Sequence, residues 1–185
     1  MSPTGKCWLD RNLGASRVAT AYNDSSAYGD LFQWGRGSDG HQIRTSSMTT
    51  TLSTTDTPGN SNFISTSATP YNWRAARNNS LWQGVSGINN PCPSGWRIPT
   101  RAEWIAEITT GGWNGYVSNF NSPLKLPNAG RRSYSGSLAY VGSRNYYWSS
   151  NVTGDNAYYL YNSSTGSSTT SSYRSYGYSV RCIKN

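Results

Sequence analysis

Nine of the chain's fourteen tyrosines fall after residue 139, in a stretch otherwise built largely of Ser, Asn, Thr and Gly. So many aromatic rings argue against the simplest alternative, a disordered polar tail. Aliphatic residues are too few there to fill a conventional core. The segments SLAYVGSRNYYWSS, DNAYYLYNSS and SYGYSVRCIKN alternate aromatic or aliphatic residues with polar ones, and Gly, Ser and Asn clusters separate them. That pattern predicts an antiparallel meander closing the domain.

The same vocabulary suits evolved binding loops. Tyr offers a large, rigid, amphipathic surface with few torsions to freeze, and Ser, Gly and Asn adapt their hydrogen bonds to what arrives. The codons point the same way. An Asn codon (AAY) randomised at its two adenines yields Asn, Tyr, Ser, Thr, Asp or Gly, but never Lys, Glu, Gln, Met or Trp. From Arg144 to Gly177 those five types are missing except for Trp148.

At 185 residues the reading is one domain spanning 1–185, with a variable ligand-binding region at about 140–178. Only 13% of residues are charged. The mean hydropathy of −0.68 therefore comes from Ser, Thr, Asn and Gly. The formal net charge of +8 would suit a polyanion, but the basic residues are dispersed and Arg131-Arg132 is their only adjacent pair. No nucleic-acid partner is expected. Thirteen of the sixteen basic residues are Arg, so hydrogen bonding to loop carbonyls is the expected use. No apolar run is long enough to span a membrane, and MSPTGKCW shows no signal-peptide pattern. Three cysteines leave at least one unpaired. Cys92 and Cys182 are candidate disulfide partners, and three reduced thiols are the alternative.

The clearest punctuation is NPCPSGWRIPTRAEWIAEITTGGW. Thr100 and Glu103 form a capping box, Trp104, Ile105 and Ile108 a buried stripe, and Gly111-Gly112 a stop. A second short helix is expected over DSSAYGDLFQWGRG, and one helical turn within YNWRAARNNSLWQG. Ser38 to Pro70 reads as a surface excursion.

The signals TGKCWLDRNLG, YGDLFQWGRG, CPSGWRIPTRAEW, YYWSS and YSVRCIKN, spread along the whole chain, resemble the Fibrobacter succinogenes major paralogous domain. The resemblance implies an α+β, loop-rich C-type lectin fold of the formylglycine-generating-enzyme type, with two short helices and small antiparallel sheets. Within that group the Asn/Tyr/Ser-biased C-terminus resembles the variable proteins of diversity-generating retroelements. It implies a ligand-binding protein displaying a hypervariable surface at the virion or cell surface, hence extracellular. The ligand would be a protein or glycan on a host or neighbouring cell. The alternative within the same fold is an invariant structural or adhesive domain. By resemblance to the family's structural motifs, Trp8, Trp34, Trp73, Trp96, Trp104 and Trp148 belong to the core.

Catalytic material is sparse. His41, the only histidine, sits in the polar loop GSDGHQIR and reads as solvent-exposed. The formylglycine-generating relatives use a cysteine pair, and the tail has Cys182 alone. Eight acids without a DxDxDG pattern give calcium little to bind, so no metal, cofactor or catalytic residue is expected. Strand alternation and codon logic together assign ligand binding to Asn145, Tyr146, Asn151, Asp155, Asn156, Tyr159, Tyr161, Ser164, Ser168, Thr170, Ser172, Tyr173, Ser175 and Tyr176. Trp148, Ala157, Leu160, Gly177 and Val180 are then the buried neighbours. A slip of one residue would invert the face.

Overall fold

The computed structural model describes residues 1–185. In chain order the elements are β1 (Phe32–Gln33), β2 (Met48–Thr49), β3 (Phe63–Ile64), β4 (Trp96–Arg97), α1 (Arg101–Gly111), α2 (Tyr116–Asn121), β5 (Arg131–Arg132) and β6 (Leu138–Ala139). The C-terminal part adds β7 (Asn145–Thr153), β8 (Asn156–Asn162), β9 (Ser167–Tyr173), β10 (Gly177–Tyr178) and β11 (Ile183–Lys184). This is a mixed α+β architecture of few helices and small sheets. Most of the chain lies in turns and loops.

The largest sheet is the antiparallel meander β7–β8–β9. Strands β1, β10, β5 and β6 form a second sheet, and β4 pairs with β11. The expectation of wholly antiparallel sheets fails at one point, because β2 and β3 run parallel. The two ends of the chain meet: the Leu9 N–H donates to the Cys182 carbonyl at 3.0 Å and the Lys184 N–H to that of Cys7 at 2.9 Å. Cys92 and Cys182 are joined in a disulfide with Cα atoms 5.9 Å apart, and Cys7 is a free, exposed thiol.

Helix α1 begins where local chemistry dictates. Thr100 and Glu103 cap each other reciprocally, Gly112 closes the helix in the left-handed conformation at φ 60°, and Arg97 pairs with Glu103 at 2.8 Å. Its inward face differs from the expected stripe. Trp104 and Glu107 are buried, whereas Ile105 is 42% exposed and Ile108 packs only at the margin. Glu107 is tolerated there because Ser2, Thr4 and the Trp8 indole all donate to its Oε1, although its Oε2 has no hydrogen-bond partner.

Two cores result. A smaller one sets Trp104, Trp113, Leu124 and Leu126 against Tyr147 and Leu160 of the meander. A larger one gathers Phe32, Trp34, Trp73, Trp82 and Ile98 around Tyr146, Trp148 and Tyr178. Trp82 and Trp113 join the buried set, while Trp8 and Trp96 are only half-buried. Of the six buried indoles, five donate to a backbone carbonyl, as a buried N–H should, and Trp113 alone has no acceptor. Trp148 donates to the Phe32 carbonyl at 2.7 Å, Trp73 to that of Trp34 at 2.7 Å, and Trp34 to that of Ser149 at 2.9 Å. Buried arginines behave alike: Arg181, 1% exposed, donates to the carbonyls of Leu9 and Leu124 and to Asn12.

Three local expectations are corrected. The segment after Asp24 makes only a 3₁₀ turn at Ser25–Ala27. Gly29 then adopts φ 64°, and Phe32 is taken into β1 opposite Tyr178, so long-range pairing overrides helix propensity. Residues 71–84 form turns rather than a helical turn, and the second short helix is α2 instead. The stretch from Ser38 to Pro70 is not wholly a surface excursion, since Phe63 and Ile64 are fully buried.

Candidate ligand-binding face

Directly opposed residues of an antiparallel ladder point to the same side. Tyr146 opposes Tyr161, Trp148 opposes Tyr159, and on the other flank Ala157, Tyr159 and Tyr161 oppose Ser172, Thr170 and Ser168. All these side chains share one side of the meander. The other side carries Tyr147, Leu160 and Thr169, with Asn145, Asn162 and Ser167 beside them. Helix α1 covers that second side: the Trp104 and Tyr147 rings lie 5.8 Å apart, and Arg101 donates to Thr169 Oγ1 at 3.1 Å while lying 4.2 Å from the Tyr158 ring.

The first side has a layered aromatic construction. Its floor is Tyr146, Trp148 and Tyr178, with Tyr178 4.3 Å from Trp148 and 5.1 Å from Tyr146. Tyr159 and Tyr161 lie over Tyr146 at 5.9 and 5.3 Å. Tyr176 packs on Tyr178 at 5.6 Å and meets Tyr134 edge-on at 5.5 Å. Tyr173 stacks on Tyr71 at 4.5 Å. Arg131 threads this cluster, its guanidinium 4.8 Å from Tyr176 and 5.4 Å from Tyr146. Burial pushes the Tyr159 phenol up to about 12 and raises those of Tyr146 and Tyr176, so these rings stay neutral donors at ordinary pH.

The structure thus brings together Tyr159, Tyr161, Ser168, Thr170, Ser172, Tyr173 and Tyr176. Ser168, Thr170 and Tyr173 are exposed, the others half-buried. Ser164 stands at the edge of this face, exposed in the β8–β9 turn. The remaining assignments are displaced. Tyr146 is 2% exposed because it is the floor. Asn145 is buried on the helix side, where it accepts from Asn162 at 2.6 Å and donates to Asn128 at 3.1 Å. Ser175 is buried and donates to the Tyr71 carbonyl. Asn156 follows the opposite alternation, as does its partner Tyr173, which joins the cluster only from the strand end through its contacts with Tyr71, Tyr134 and Tyr176. Asn151 accepts from the Arg101 N–H at 2.7 Å, beside the start of α1. Asp155 is exposed in the β7–β8 turn, ion-paired with Arg77. Trp148, Ala157, Leu160, Gly177 and Val180 are all buried.

Sequence reasoning missed Tyr71, Tyr134, Tyr140 and Arg144, which come from loops, and Arg131, which comes from β5, all outside strands β7 to β9. The adjacent Arg131-Arg132 pair and the turns SYSG and AYVG were the available signals. Tyr71 and Tyr140 both hold the left-handed conformation, with φ 54° and 59°. Such strain in a non-glycine residue costs about 1–3 kcal/mol and gathers at functional surfaces.

His41 is not solvent-exposed; it is fully buried. Its Nε2 accepts from the Gln33 N–H at 3.0 Å, and its Nδ1 donates to Asp39 at 2.5 Å. Burial is the main cause that lowers it from 6.5 to about 4, against the opposing pull of Asp39. A depressed histidine contributes stability that is complete above the unfolded value and is lost as pH falls from 6.5 towards 4, here about 3 kcal/mol. Urea melts across that window should show the loss, and His41→Gln should flatten it; an equally steep decline in the variant would reject the assignment. Asp39 and Asp56 border a small polar recess, but Arg36 and Arg74 already neutralise them. No helix is long and apolar enough to cross a membrane. The chain matches no protein-family model, no curated protein and no solved structure.

Proposed function

We propose that the chain is a ligand-binding protein with a C-type lectin fold. Its tyrosine face is the binding surface, diversified by a retroelement and displayed at a virion or cell surface. One observation carries this reading. Tyr159, Tyr161, Ser168, Thr170 and Ser172, all reachable from AAY by adenine substitution, fall on the same side of one sheet. Alternate residues of the same strands pack on α1. Diversity there changes the surface without touching the smaller core. The role is non-catalytic and needs no metal: the single histidine is locked between Gln33 and Asp39, and the ligand is a protein or glycan gripped by aromatic rings.

Sequencing of the locus across a population tests it. Substitutions should concentrate at the codons of these five residues and spare Leu160 and Tyr147, with a template repeat and a reverse-transcriptase gene nearby. Variation spread evenly over both sides of the sheet would reject the reading. The mutual packing of Tyr134, Tyr173 and Tyr176 favours one alternative, an invariant adhesive domain of the same fold. A fixed sequence at all five codons would select it.

A further inference from the structure

Resting on that reading, we propose that the recess beside the β8–β9 turn binds an acidic sugar, with Arg144 as the partner of its carboxylate. The recess encloses about 410 Å³, within the range of roughly 300–1,000 Å³ usual for small-molecule sites. Tyr116, Tyr140 and Tyr161 wall it, and Ser164 and Thr165 offer hydroxyls from the turn. Its frame is well supported. The Tyr116 N–H donates to the Ser163 carbonyl at 2.9 Å, and the Gly115 N–H to Ser167 Oγ at 3.0 Å. A Cβ at Gly115, whose φ is 147°, would lie 2.9 Å from that same Ser163 carbonyl oxygen. On the other wall, the amides of Ser143 and Arg144 both donate to the Tyr140 carbonyl at 3.1 Å.

The charge is what singles out an anion. The Arg144 guanidinium lies 4.1 Å from the Tyr140 ring centre, and that of Arg131 lies 5.2 Å from the same ring. Two like charges therefore share one tyrosine, and neither has an ion-pair partner. Six of the chain's eight carboxylates are paired with other basic residues. Glu107 is held by Ser2, Thr4 and Trp8, and Asp30 lies against Gly14. The chain supplies no anion of its own here. A guanidinium placed over a ring can still turn edge donors to a planar, bidentate carboxylate. A flat charged patch would suit an acidic protein loop equally well. The concavity, the aromatic walls that can cover the apolar face of a pyranose ring, and the hydroxyls that can pair with its alcohols favour a compact sugar acid.

Calorimetric titration with glucuronic acid and N-acetylneuraminic acid, in EDTA, tests this beside glucose and a glutamate-rich peptide. Both sugar acids should bind and glucose should not. Binding should weaken as salt rises from about 0.05 to 0.5 M. Arg144→Gln should cut affinity about tenfold or more while the melting temperature holds, and Arg144→Lys should recover part of it. Failure of both sugar acids to bind at millimolar concentration, equal binding of glucose, or binding of the peptide alone would overturn the proposal. So would full affinity in Arg144→Gln. The population sequencing described above reads the face independently. Codon variation there without sugar binding leaves the face standing and removes only the sugar; absence of both removes both.

Discussion

Trp148→Ala should lower stability by about 3–5 kcal/mol, a large part of the roughly 5–15 kcal/mol that holds a domain together. Trp148 is fully buried and ties both cores. Its indole packs 4.3 Å from Tyr178 and donates to the Phe32 carbonyl, while its own carbonyl accepts from the Trp104 indole at 3.2 Å. Removing it opens a cavity in the aromatic floor and takes the indole donor away from the Phe32 carbonyl. Thr170→Ala, on the exposed side of the same sheet, should stay within about 0.5 kcal/mol of the parent. Urea melts of the two variants make the comparison. A Trp148→Ala protein as stable as the parent would mean that the floor is not a floor.

The second large effect is redox. Opening the Cys92–Cys182 bond releases a sequence separation of 90 residues, worth roughly 4–5 kcal/mol on the chain-entropy account. Cys182 is also buried in the larger core and pins the C-terminal strand next to the start of the chain. Reduction, or the double replacement of both cysteines by Ala, should lower the melting temperature by many degrees. Before reduction, a thiol reagent applied to the native protein should label Cys7 alone. Two more reactive thiols in the untreated protein, or a melt indifferent to reductant, would refute the bond.

What the sequence revealed divides along physical lines. Helix α1 was legible because its start is settled locally: Thr100 and Glu103 need only each other. The alternation on β8 and β9 was legible because period-two patterning survives where one side is wet. Strand β7 was not, since β10 and the aromatic floor cover one side and α1 the other, so Asn145 and Tyr146 look like surface residues in one dimension only. At its far end a register shift between Trp148 and Val152 inserts extra residues, a bulge that carries Asn151 towards α1. His41 and the segment around Gly29 failed for a related reason. Their surroundings come from Gln33, Asp39 and the distant strand of Tyr178, and no local rule weighs such partners.

The indoles and buried arginines fasten this loop-rich chain mainly to peptide carbonyls: those of Trp34, Phe32 and Ser149 for tryptophans, and those of Leu9 and Leu124 for Arg181. A carbonyl is present whichever residue supplies it. The acceptor half of each fastening is therefore indifferent to the side chain at that position, and loops clamped this way can drift in sequence over generations and still be gripped. Robustness of this kind is invisible to a search for preserved side-chain pairs. It would let such a scaffold persist long after its relatives ceased to look alike.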